Sequence, residues 1–143
     1  MFTAAITGTG VLTPQAVITN DELVVAFNAY ADLFNAKNAD AIAAGTVDAK
    51  PQSSADFIFA ASGIEQRYVL DRDGILDPER MYPNLPARTD DAPSYMAEIG
   101  LDAAQKALTE AGLTGADIDL VICAASNMER AYPAVGVEIQ QLL

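Results

Sequence analysis

Apolar and polar positions follow three rhythms along this chain. Leu23, Ala26, Phe27, Tyr30, Leu33 and Phe34 recur at helical spacing behind Thr19-Asn20-Asp21-Glu22, where Thr19 and Glu22 stand at the distance of a capping box. A second helix of the same rhythm is expected over Ser94 to Ala111. Met96, Ile99, Ala103, Ala107, Leu108 and Ala111 lie on its apolar stripe, and Gly112 ends it. Ser53-Ser54-Ala55-Asp56 opens a shorter helix through Phe57 to Ala61, closed by Ser62-Gly63. Ile64 to Val69 instead alternates with the period of a strand, and Ala4 to Thr9 reads as a short strand entering a glycine turn. The third rhythm is a continuous apolar run, Leu120 to Ala125, which suits a strand covered on both faces.

That last run organises the rest. A polar hinge, Ser126-Asn127-Met128-Glu129-Arg130, follows it, and Pro133 fits the first turn of a helix reaching the final residues. Strand, loop and helix N-terminus in that order place the loop at the carboxyl edge of a sheet, where open α/β sheets bind ligands. Between the clear elements, Asn35 to Gly45 suggests a second short, alanine-rich helix, and Asp71 to Pro93 is a proline-rich loop. Two familiar motifs fail there. Gly8-Thr9-Gly10 is followed by Thr13-Pro14 instead of the third glycine of a dinucleotide loop. Asp71-Arg72-Asp73-Gly74 puts Val69 and Arg80 at the first and twelfth positions of a calcium loop.

Several of these segments resemble β-ketoacyl-acyl-carrier-protein synthase III, a condensing enzyme of the thiolase superfamily. Ala124-Ala125-Ser126, Tyr132-Pro133-Ala134 and Glu138-Ile139-Gln140 follow its pattern of a strand ending in small residues, an aromatic-Pro-small pair and a helix with a hydrophobic-Gln step. Ile6-Thr7-Gly8-Thr9-Gly10 with Pro14 is similar to the family's opening. The phrase Ala107-Leu108 to Leu113, followed by Asp117-Ile118-Asp119-Leu120-Val121-Ile122, is common in the superfamily. Around the third helix, Ser53 matches a family Thr and Phe57 a family Trp, while Ser62-Gly63-Ile64 and Arg67 match Thr-Gly-Ile and Arg.

The resemblance implies an α/β, thiolase-like layered fold, of which residues 1–143 are part of the N-terminal half, with a helical insertion at about 29–50 and the proline-rich loop at about 71–93. It implies a decarboxylative Claisen condensation of an acyl thioester with malonyl-carrier protein, in fatty acid or related biosynthesis, by a cytoplasmic homodimer. No cofactor is implied; acyl-coenzyme A or acyl-carrier protein serves as substrate, and acyl carrier protein is the partner. Ser53, Phe57, Asn127, Met128 and Tyr132 are the residues it marks for substrate binding. In the family the Trp stacks on adenine and an Arg helps hold it. Phe57 keeps a ring but Ala61 replaces the Arg, so a donor fork is lost. The aromatic at Tyr132 crosses the dimer interface in such families and closes the partner's acyl pocket. Arg67 is assigned a structural role.

Composition narrows the chemistry. Histidine is absent and cysteine occurs once, so this chain cannot assemble a Ser-His or Cys-His pair or a zinc site. Cys123 lies inside the apolar run with no cation beside it, which reads as a small core residue. The family's acylated cysteine, with its His and Asn, comes later, leaving no catalytic residue and no metal ligand in this chain. A net charge of −12 opposes binding to nucleic acid or anionic membranes, and no apolar run is long enough to span a membrane. Arg67, Arg72, Arg80 and Arg88 are interleaved with acids, giving a solvated mixed face, with a patch for an acidic carrier as the sharper alternative. The final Glu138 to Leu143 has no capping residue, as expected of a chain stopping within an element, either a fragment or one whose partner segment arrives as another chain. Two other functions remain open: a thiolase-fold acyltransferase that does not condense, and a non-catalytic partner.

Overall fold

The computed structural model describes residues 3–143. The chain divides into two compact units, one from Pro14 to Pro86 and one that combines the first thirteen residues with Ala87–Leu143.

In the Pro14–Pro86 unit, strand β1 (Ala16–Thr19) runs straight into helix α1 (Asn20–Lys37). The expected capping box forms: the Thr19 hydroxyl accepts from Glu22 N, and the Glu22 carboxylate accepts from Thr19 N at 3.0 Å. Arg72 pairs with the same carboxylate. Bonding from the Thr19 backbone, then from Arg72, holds Glu22 below its ordinary range. Helix α2 (Ala39–Ala43) follows at Asn38, later than the expected start at Asn35, because α1 continues through Lys37. Helix α3 (Ala55–Ser62) is capped by Ser54, whose hydroxyl accepts from Phe57 N, and ends at Gly63 with φ 67°. Strand β2 (Gln66–Val69) pairs antiparallel with β1, Ile18 opposite Arg67. Ile18 is almost fully buried and anchors the two strands. Strand β1 and the short helix α4 (Arg72–Leu76), capped by Asp71, were not expected from the pattern. Each is only four or five residues long, too short for periodicity to register.

Side-chain amides do much of the joining in this unit. Asn28 and Asn35, two turns apart on α1, each make a pair of bonds to the returning chain. Asn28 accepts from Ser53 N at 2.8 Å and donates to Ser53 O at 3.1 Å. Asn35 accepts from Lys50 N at 2.8 Å and donates to Lys50 O at 2.9 Å. The Lys50 ammonium sits over the rings of Tyr30 and Phe34. Asn20, nearly buried, donates to Ile64 O and accepts from Arg67, which gives Arg67 its structural role.

The other unit is built on helix α5 (Tyr95–Ala111), capped by Ser94 and closed by Gly112 at φ 68°, and on helix α6 (Val135–Leu142). Ala97, Val135 and Ile139 form its core, with Met96, Val121 and Leu143 against them. The first segment lies along α5 without joining a sheet. A Cβ on Gly8 would run into the Ala107 carbonyl oxygen, and one on Gly10 into that of Ala103. The glycines therefore serve close approach to the helix and not only a turn. Thr9 N donates to Glu110 at 2.6 Å, and Lys106 reaches Val11 O at 3.1 Å.

The expected strands Ala4–Thr9 and Leu120–Ala125 carry no ladder among the described residues, and the sheet that does form is the two-stranded β1–β2 pair. A ladder requires a neighbour, which an apolar run alone does not supply. Leu120 and Ile122 are accordingly 73% and 82% exposed. Cys123 is exposed as well, against the expectation of a core residue.

Two outcomes follow. Gly10→Ala should destabilise the α5 unit by roughly 1–3 kcal/mol in urea denaturation, because the added methyl meets backbone rather than a movable side chain. Thr19→Ala should cost about 1 kcal/mol as a lost N-cap. The Glu22 contribution, from a carboxyl whose folded pKa lies below its ordinary 4.5, is full above that value. It should fade as pH falls below 4.5, and a wild-type minus Thr19→Ala difference independent of pH would contradict the box.

Candidate functional site

Of the five residues marked for binding, Ser53 and Phe57 belong to the unit holding α3, and Asn127, Met128 and Tyr132 to the unit holding α5. Ser53 is half-buried just before the α3 cap, its backbone fastened on both sides by Asn28. Ser54, its neighbour, makes the cap. Phe57, in the first turn of α3, has a largely exposed ring, while Phe59 is about half exposed. A hollow of this unit, about 360 Å³, is lined by Thr19, Asn20, Asp56, Phe59, Glu65 and Gln66 among others, and includes neither Ser53 nor Phe57.

Asn127, Met128 and Tyr132 share the loop from Ser126 to Ala134. All three are exposed, Tyr132 at 90%. The Tyr132–Pro133 peptide is cis. Pro133 does not occupy the first helical turn, as its position suggested. Helix α6 starts at Val135, because the Ala134 carbonyl, on an extended residue, takes the first helical bonds from Val137 and Glu138 N–H.

What holds this loop was not foreseen from the sequence. Arg130 donates from Nη1 to Asp90 O at 3.3 Å and from Nη2 to Ala92 O at 3.0 Å. Its Nη1 lies 3.9 Å from Glu138 Oε1. Glu138, only 5% exposed, accepts from Ser94 N at 2.9 Å and from the Ser94 hydroxyl at 2.7 Å. Ser94 in turn caps α5 by accepting from Ala97 N at 3.1 Å. Glu129 adds a longer bond from Met96 N at 3.3 Å. A signal existed: Val135, Glu138, Ile139 and Leu142 share one helix face, and a carboxylate on an apolar stripe needs a partner.

The four arginines expected to form a mixed face each have a partner. Arg67 bonds Asn20, Arg72 pairs with Glu22, and Arg80 bonds Tyr82 O while lying over the Tyr82 ring. Arg88 forms a two-pronged pair with Glu98, both prongs at 2.6 Å, and stacks on Tyr95. Its guanidinium is held above its ordinary range, chiefly by Glu98. Among the described residues no group of three or more Cys, Asp or Glu is placed to hold a metal ion, and no helix is long and apolar enough to cross a membrane.

No protein-family model matches the chain. Among curated proteins it is 49% identical to a β-ketodecanoyl-[acyl-carrier-protein] synthase of Pseudomonas aeruginosa over 117 residues, 82% of this chain and 33% of that protein. It is 32% identical over its full 143 residues to a β-ketoacyl-[acyl-carrier-protein] synthase III of Granulibacter bethesdensis, and 29% identical over the same span to one of Rhizobium johnstonii, covering 31% of each. The chain thus spans about a third of the length of these relatives. Across that third, it resembles β-ketoacyl-[acyl-carrier-protein] synthase III.

Proposed function

We propose that this chain is part of a condensing enzyme of the synthase III kind, with the layered thiolase-like fold of that family. The 49% identity over 82% of the chain to a β-ketodecanoyl synthase carries the reading. In the complete enzyme an acyl thioester passes its acyl group to a cysteine thiolate, and the donor's own sulfur leaves as a thiolate that takes up a proton. Malonyl-carrier protein then loses its carboxylate as carbon dioxide, and the freed electron pair forms the new carbon–carbon bond at the acyl carbonyl. The cysteine thiolate is released as that bond closes. With no histidine of its own, this chain contributes scaffold, donor entrance and lining loop. It would work without a cofactor, in the cytoplasm, as a homodimer served by acyl carrier protein.

The relative's name also suggests a chain length. A decarboxylative condensation lengthens an acyl group by two carbons, so a β-ketodecanoyl product requires an eight-carbon donor. Phe57 and Ala61, in place of the Trp and Arg of the resemblance, fit a donor site that grips coenzyme A less firmly than the family pattern would.

The test is to supply the complete protein carrying this sequence with malonyl-carrier protein and donors from acetyl to dodecanoyl. A β-ketoacyl-carrier product with matching carbon dioxide release, greatest for octanoyl, is expected. No product with any donor would end the reading, and acyl transfer without carbon dioxide would favour the non-condensing acyltransferase. In the same assay Tyr132→Ala should favour longer or branched donors by roughly tenfold in relative kcat/KM, the scale of a methylene or so in an apolar pocket. An unchanged profile would remove Tyr132 from the acyl site.

A further inference from the structure

The loop that bears Met128 and Tyr132 has its anchor in its own middle. Arg130 stands between those two residues in sequence, and its guanidinium spans the Asp90 and Ala92 carbonyls and faces the buried Glu138 carboxylate at 3.9 Å. The arginine side chain is 20% exposed and that of Glu138 5%, so water screens this pair weakly. Glu138 is itself immobilised, since both its oxygens are bonded by Ser94 at the N-terminus of α5. Two rigid elements, α5 and α6, therefore meet at one carboxylate, and the loop is tied there by Arg130, with the longer bond from Met96 N to Glu129 beside it. A hollow of about 270 Å³ opens beside it, lined by Asp90, Ala92, Arg130, Pro133 and Glu138 among others. Pro133 links this hollow directly to Tyr132.

We infer that Arg130 and Glu138 form a clasp that sets the position of Met128 and Tyr132, and through them the acyl chain accepted. The second half of this rests on the condensing function proposed above. Neither residue is a catalytic residue; both act through the loop. The guanidinium is suited to the task because its planar fork meets two carbonyls while keeping its charge towards Glu138. Lysine offers a point charge and cannot hold both carbonyls in one orientation. Residues held this way fix side-chain placement more tightly than loop backbone alone.

Two readouts in the complete protein test the clasp. In donor competition, Arg130→Ala and Glu138→Gln should each change the decanoyl-to-octanoyl ratio of kcat/KM at least threefold, in the direction of Tyr132→Ala. Arg130→Lys should recover part of the wild-type ratio. In a Tyr132→Ala background, Arg130→Ala should shift the ratio less than it does in the wild type, because part of the clasp's effect passes through that ring. A merely structural role would lower turnover for every donor alike and leave the ratio fixed, which would overturn the inference. The second readout is amide hydrogen exchange of residues 126–134, which needs no activity. Arg130→Ala should speed it several-fold while exchange in the middle of α5 stays at the wild-type rate. Unchanged exchange in the loop would overturn the clasp itself. Faster loop exchange in a protein that condenses no donor would keep the clasp and discard the condensing function instead.

Discussion

The Glu138 carboxylate is the interaction on which the α5 unit depends. A charged group at 5% exposure is costly unless its oxygens are occupied. Here one oxygen takes the Ser94 amide and the other its hydroxyl, and both donors stand at the positive end of α5, where an anion is favoured by the helix dipole. The same contact fixes the rotation of α6, bringing Val135 and Ile139 onto Ala97 and seating Ile139 over Gly100, where no side chain intervenes. Removing the carboxylate would leave the Ser94 amide buried without its partner, which ordinarily costs more than the bond contributed. The core around it is small, so a polar contact has unusual weight in specifying how the two helices cross.

The Pro14–Pro86 unit reaches its order by another route. Its sheet has only two strands, too few for independent stability. Asn20, Asn28 and Asn35 compensate by bonding backbone groups that a larger sheet would pair, and the returning chain at Lys50 and Ser53 is held against α1 as though it were an edge strand. The segment taken as an insertion, about 29–50, is thus fastened at its end by amides and by Lys50 over two rings.

Helix starts and stops were readable because their chemistry is local. Thr19 with Glu22, Ser54, Ser94, Gly63 and Gly112 each act within four residues of themselves, and each appears where its spacing placed it. The runs at Ala4–Thr9 and Leu120–Ala125 misled because apolarity records what a side chain requires of its surroundings, whereas a ladder depends on a neighbour distant in sequence. Cys123 followed the same error from buried to exposed. The loop after the apolar run could be placed from the sequence, and Asn127, Met128 and Tyr132 stand exposed on it. Its anchor could not, since Arg130 reaches residues about forty positions away. Glu138 was visible as a carboxylate on an apolar face, but its partner Ser94 was not.

Function rests on a different kind of evidence from fold. Similarity to curated synthases covers about a third of their length, and the chain's own geometry supplies an exposed aromatic loop held at one buried carboxylate. The most direct measurement is a crystal structure of the complete protein with an octanoyl thioether analogue of the donor, which cannot be turned over. The account predicts the acyl tail within about 4 Å of the Tyr132 ring or the Met128 side chain. An ordered tail lodged elsewhere, with residues 126–134 untouched, would contradict it.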